Sequence, residues 1–217
     1  MPRRDDPRTP IRLPELASTD RAALDALLDE VHVGHLGLVV EDGTPAVVPT
    51  AVVRDGDRVL CHGSTGSRWM RRAAQGVPVA LAVTADDGLS VARSAFESSF
   101  LYRSAVIFGS GSVVDDPEEK LRALDLLTDL LLPGRVAEVR RPTGAELAAT
   151  LVLALPLDDW SLKVNDGCPE DPPEDVAGPA WAGLLRRHTS YAVPEPAPDL
   201  RPGIDVPPSV RGAHSGA

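Results

Sequence analysis

The chain has 217 residues, 43% of them hydrophobic, enough for one well-filled domain with tails and too few for two ordinary domains. Its net charge of -10 repels nucleic acid and anionic membrane surfaces, so neither is expected as a partner. Cys61 and Cys168 are the only cysteines and form no CxxC pair, which argues against a disulfide framework or a cysteine zinc site and fits a reducing compartment. The N-terminal MPRRDDPRTPIRLPEL lacks the apolar stretch of a secretory signal, and no run approaches the roughly 18 apolar residues of a spanning helix. A soluble cytoplasmic protein is expected.

In chain order, residues 1–16 read as a flexible arm rich in Pro, Arg and Asp. Ser18, Thr19 and Asp20 offer an N-cap, and Leu24, Leu27, Leu28 and Val31 then recur at helical spacing, predicting an amphipathic helix over about 20–31. Three apolar runs follow, separated by Asp42-Gly43 and Asp55-Gly56, pairs that accept the positive φ of hairpin turns. These predict a three-stranded meander. STGSRWMRRAAQG suits a short helix closed by Gly76. VPVALAVTADDGLSVARSA reads as a hairpin turning at Asp86 to Gly88, and YRSAVIFGSGSVVDD as a long strand bent at Gly109 and Gly111.

Pro117 and leucines at 121, 124, 127, 130 and 131 predict the main helix over about 117–132. Thr143 and Glu146 can form a capping box, and TLVLALPLDDWSLKVN reads as one last long strand. Residues 166–175 are acidic and proline-rich. PAWAGLLRRH is expected to dock as a strand or arm near a ligand or a partner subunit. The expected organisation is a domain over 17–190 and a disordered Pro-rich tail over 191–217. Six or so antiparallel strands with intervening helices point to a mainly β, α+β protein built on a small closed barrel.

The most promising chemistry lies in Cys61–Arg72, CHGSTGSRWMRR, where hydroxyls and a glycine open a helix and three arginines follow. Two readings stand on spacing alone. Ser64 or Ser67 caps the helix while the arginines pair with surplus carboxylates; or the turn and its guanidinium groups hold a phosphate. Arg93-Ser94 and Tyr102-Arg103-Ser104 are polar groups within strand-like sequence, either wet-face residues or the lining of a ligand groove. GSGSVV at 109–114 lacks the helix that a dinucleotide fingerprint needs, HGSTGS is not a nucleophile elbow, and His32 and His35 have no marked metal-binding partner. No metal site is expected, and no catalytic residue stands out.

The stretches HLGLVVEDGTPAVVPTAVVRDGDRVLCHGSTGSRWMRR and ARSAFESSFLYRSAVIFGSGSVVDDPEEKLRAL closely resemble pyridoxamine-phosphate-oxidase-like flavin-binding proteins, most of all the branch with nitroimidazole-resistance proteins. The likeness runs from about residue 20 to 185. It implies a six-stranded split β-barrel homodimer with FMN at the subunit interface. By analogy Val48, Pro49 and Thr50 run along the flavin ring, His62, Ser64, Ser67 and Arg68 hold the phosphate, and Arg93, Arg103, Ser104 and Trp181 approach from neighbouring strands or the partner. Relatives commonly carry a basic residue where this chain has Asn165 and Asp166, and an aromatic near 46–51 where it has alanine. These departures bear on substrate, and the phosphate segment is intact. The implied activity is a flavin-dependent oxidoreductase acting on a small molecule, with a nitro compound or quinone-like acceptor as the concrete version. The alternatives are a non-catalytic flavin or haem binding or storage protein, and a structural dimer that binds nothing.

Overall fold

The computed structural model describes residues 13–215, so most of the arm expected over 1–16 lies outside the described residues. β1 (Ala17–Ser18) leads into α1 (Arg21–Glu30). The Asp20 side chain accepts from the Ala22 N–H, and Leu24, Leu27 and Leu28 are buried along one stripe. The predicted meander follows as β2 (Val33–Val39), β3 (Pro45–Asp55) and β4 (Arg58–Ser64), with Gly43 at φ 85° and Gly56 at φ 60° in its two turns. β3 serves two sheets. Its residues 45–51 pair with β2, and Val52–Asp55 pair with β4. α2 (Arg68–Ala73) is the expected short helix, and its chain turns away at Gly76, φ 73°.

The hairpin turn expected at Asp86–Gly88 does not form. β5 (Pro78–Val91) runs straight through it, and the register against β6 (Ser99–Ser110) slips there as a bulge. The local chemistry is still that of a turn, since the Asp86 carboxylate accepts from the Gly88 N–H. What keeps the strand going is β10 (Gly183–Arg186), which pairs along β5 from Val91 to Gly88. A Cβ on Gly88, at φ 130°, would come within 2.2 Å of the Leu185 carbonyl oxygen. The reversal occurs later, where Ser94 and Ser98 hydroxyls bind the backbone of residues 92–98.

The bend expected at Gly109 and Gly111 is present. β6 ends there and its continuation, β7 (Ser112–Val113), crosses to the other sheet. α3 (Pro117–Leu131) follows, capped by Asp116, and α4 (Gly144–Ala149) carries the predicted capping box of Thr143 and Glu146. The last strand is not one but two, β8 (Thr150–Pro156) and β9 (Asp159–Asn165). The buried Leu157 breaks the run, its N–H donating to the Asp57 carbonyl. The full order is β1-β9-β6-β5-β2-β3-β4-β8-β7, with β10 on β5. Because 99–113 pairs with β5 at one end and β8 at the other, six strands (β2 to β6 and β8) enclose a split barrel, and the others extend it. α5 (Pro173–Val176) and α6 (Pro208–Ser215) lie in the C-terminal part. The tail over 191–217 has little regular structure before α6, which Ser209 ties to the Glu138 carboxylate.

Two cores result from strand alternation. Leu36, Leu38, Val52, Val59, Cys61, Leu81, Val83, Ile107 and Leu162 fill the barrel with the α1 leucines. Val53, Leu60, Val152 and Ala154 face outward and are covered by Ala123 and Leu127 of α3. Asp55 anchors that helix. It accepts from Arg122 at 2.6 Å and from Arg58 at 2.8 Å, while Arg58 also pairs with Glu119 at 2.6 Å. Arg122, with Arg58, holds the Asp55 carboxyl down to about 2. A carboxyl depressed in the folded state stabilises above its unfolded pKa, and that contribution disappears as the pH falls through the folded value. Acid unfolding should therefore lose on the order of 2 kcal/mol from this group between about pH 4 and pH 2. Asp55→Asn is expected to flatten urea-measured stability in that window and to lower it near neutrality.

Candidate functional site

The three arginines of the 61–72 segment differ from most others in the chain. Arg54, Arg58, Arg93, Arg103, Arg122 and Arg140 all pair with carboxylates. Arg68 has no hydrogen-bond or ion-pair partner among the described residues. Arg71 donates to the Thr65 carbonyl, and Arg72 to the Val39 carbonyl and the Gln75 side chain. Among the described residues, none of the three is paired with a carboxylate. With Trp69, Gln75, Val40, Glu41, Asp42 and Thr44 they line an open cleft of about 750 Å³ between α2 and the β2–β3 turn. Ser67 occupies the N-cap position of α2, yet its side chain makes no cap hydrogen bond; the Ser64 hydroxyl accepts from the Gly66 N–H. Neither serine lines the cleft. The cap-and-carboxylate reading of this segment thus finds neither its Ser67 cap nor its ion pairs.

β4 presents its next polar residue elsewhere. Cys61 points into the barrel, where burial pushes its thiol up to about 12. His62 points the other way, into a second cleft of about 540 Å³ lined by Leu124, Leu127, Thr128 and Leu131 of α3, Arg140, Pro142, Glu146 and Thr150. Its Nδ1 is sealed from solvent with no hydrogen-bond partner among the described residues, and burial lowers its pKa. His62 is therefore not on the arginine cleft. Of this second cleft, the sequence showed only that the α3 leucines recur at helical spacing.

The remaining site candidates are dispersed. Thr50 is buried, its hydroxyl within 3.4 Å of the His62 carbonyl, and Val48 is half-buried beside it. Pro49 pairs with His35 on the outer sheet face. Ser104 is half-buried opposite Thr84. Arg103 is engaged in the fold, donating to Asp87 at 2.7 Å and to Glu30 of α1 at 2.8 Å. Arg93 binds Asp171, whose side chain is fully buried, at 2.9 Å. Trp181 is exposed and its ring lies over Gly183 at the start of β10. Among the described residues there is no cluster of three His, Cys, Asp or Glu fit for a metal ion, and no helix long and apolar enough to cross a membrane.

Residues 20–164 match the model of the pyridoxamine 5'-phosphate oxidase family. The chain belongs to that family. No curated protein matches it. Two solved structures match it nearly end to end. The FAD and haem binding protein from Mycobacterium smegmatis is 49% identical, with 92% of this chain and 97% of that one covered at a TM-score of 0.86. The flavocytochrome Anf3 from Azotobacter vinelandii is 33% identical, with 96% of each chain covered at 0.88. A proposed 5-nitroimidazole antibiotic resistance protein from Bacteroides thetaiotaomicron, 18% identical over 68% of this chain and 86% of its own at 0.58, shows the fold alone. The family model stops at 164, and the coverage of the first two extends well beyond the span it matches.

His62 supplies a test of this geometry. Its pKa lies below the ordinary imidazole value of about 6.5, so the folded protein binds fewer protons than the unfolded chain as the pH drops through that value. Stability is full above pH 6.5 and declines below it until the folded pKa is passed. Histidine NMR titration should show one ring protonating late, and His62→Leu should remove that signal and flatten the decline.

Proposed function

We propose that this family member is a flavin-binding redox protein acting on a small molecule, with the flavin's phosphate held by Arg68, Arg71 and Arg72. The observation that carries the reading is that these three arginines line one cleft without a carboxylate partner among the described residues, in a chain of net charge -10. A guanidinium already neutralised offers little to an anion; these three are available for charge-assisted, two-pronged hydrogen bonds. Glu41 and Asp42 line the same cleft and repel a phosphate, biasing it toward the arginines. Trp69 adds an aromatic face for a flat ring system. When bound, a flavin supplies hydride or single-electron transfer; the chain's part is to hold, orient and shield it.

The resemblance implies FMN, whereas the neighbour 49% identical to this chain is described as binding FAD. The two cofactors share the ribityl phosphate, and FAD is the first to test. The same two end-to-end neighbours, one FAD and haem binding and one a flavocytochrome, favour haem as a second redox group. The substrate class to screen first is the nitro or quinone-like acceptor. Two free thiols accord with a cytoplasmic setting.

The active unit we propose is a homodimer. Val33, Val39 and Val47 are 50%, 52% and 67% exposed on the outer face of β2 and β3, where Gly37 and Ala80 continue an apolar surface onto β5. Such a patch marks an association surface.

The purified protein should be yellow, and acid release followed by chromatography should yield FAD, with bleaching on addition of a reduced nicotinamide or chemical donor. Colourless protein that takes up neither FAD nor FMN overturns the reading. Light scattering should give twice the chain mass, and Val47→Arg should shift it toward one chain mass without unfolding the barrel.

A further inference from the structure

The chain beyond β10 is pinned at its two ends and free of the body between them. At one end the Arg187 N–H donates to the Asp87 carbonyl, and its guanidinium meets Asp86 at 3.0 Å. At the other, the Ser209 N–H and hydroxyl both donate to the Glu138 carboxylate. Among the described residues, no hydrogen bond or ion pair joins residues 188–207 to the body of the protein; the bonds they make run to one another and to α6. This strap is apolar where it has nothing of its own chain to cover. Tyr191, Val193, Leu200, Ile204 and Val206 are all exposed, Val193 at 72%. Six prolines from Pro194 to Pro208 fix φ and remove N–H donors, so the strap stays extended without a ladder and has little freedom to lose on binding.

The strap leaves β10 beside an apolar row that is also bare. Leu185 stands opposite Leu89, and Leu89 opposite Phe100; all three are exposed. Trp181, 68% exposed, lays its ring over Gly183 on that same face. The row continues the outer face proposed above for association. Phe100 and Val106 share one side of β6, Val106 stands opposite Ala82, and Ala82 opposite His35, between Val33 and Gly37 on β2. The row is exposed with the chain's own strap in place, so that strap does not cover it. We propose that the strap of a second copy does: each protomer lays residues 188–207 over the Trp181, Leu185, Leu89 and Phe100 row of its partner. This assignment rests on the homodimer reading and adds a second, separate contact to it. A two-fold axis makes the exchange reciprocal, each copy giving a strap and receiving one. Tyr191 and Val193 follow Arg187 closely enough to lie within about 20 Å of β10, at the rim of the face where the second copy sits. A strap pinned at both ends is already shaped before the partner arrives, which lowers the entropy lost on association.

The test places the photo-crosslinking residue p-benzoylphenylalanine at Val193 of the full chain and, separately, measures dimer dissociation by light scattering on dilution for wild type, Tyr191→Asp/Val193→Asp and Phe100→Asp. Illumination should give a product of twice the chain mass, with the crosslink mapping to the peptides that hold Leu89 to Phe100 or Trp181 to Leu185. Both variants change exposed side chains, so their circular dichroism should match wild type while the dimer dissociates at least about tenfold more readily. A wild-type dimer whose crosslinks stay within one chain, or map outside the row, overturns the strap assignment and leaves the homodimer standing. So does a dimer whose dissociation neither variant changes. A wild-type protein of one chain mass overturns the homodimer reading and the strap with it.

Discussion

A strand shows successive side chains to opposite faces, and the molecule is organised around what β4 shows to each. Val59 and Cys61 belong to the barrel interior, where Gly63 makes room for Met70 of α2. Leu60 belongs to the second core under α3, and His62 extends that face beyond the leucine-packed region into an open cleft. β4 can hold both faces because β3 pairs with it for only four residues, after pairing with β2 for seven, so the strand stands between two sheets. Shifting its register by one residue would put His62 in the barrel and Cys61 in the cleft.

Charge is partitioned as deliberately as the apolar residues. An acidic chain can neutralise its arginines, and most are used to tie elements together: Arg103 joins β6 to the end of α1, Arg93 joins the β5–β6 loop to the segment before α5, and Arg58 with Arg122 fixes α3 over the barrel. The arginines of α2 are exempt. Their exemption, more than the helix that carries them, is what supports the proposed anion site; α2 has only six residues, too short for its dipole to add much.

Much of the barrel was legible in the sequence because its signals are local. Asp42-Gly43 and Asp55-Gly56 each demand a backbone that only a tight turn supplies, and the α1 and α3 leucines repeat at helical spacing. The misreadings arose where tertiary pairing decides. Asp86-Asp87-Gly88 has turn chemistry, but β10, nearly a hundred residues later, binds alongside it and makes it a bulge. Asp158-Asp159 has weaker turn chemistry, yet there the chain does change sheets, because Leu157 finds a buried seat against the β3–β4 turn. The site was legible as a segment and not as a geometry. Spacing placed His62 and Arg68 six residues apart in one motif; strand parity sent them to different clefts. Alternation from Cys61 could have given the direction of His62, but not that α3 would stop short of covering it.

The central claim is that Arg68, Arg71 and Arg72 hold a flavin phosphate, and it is tested most directly by titrating flavin-stripped protein with FAD, comparing wild type with Arg68→Ala/Arg71→Ala/Arg72→Ala at low and high salt. Hydrogen bonds to a charged group contribute about 1.5–3 kcal/mol each, so the variant should bind at least about tenfold more weakly and lose most of the salt dependence seen in wild type. Equal affinity and equal salt dependence in the two proteins would contradict the assignment.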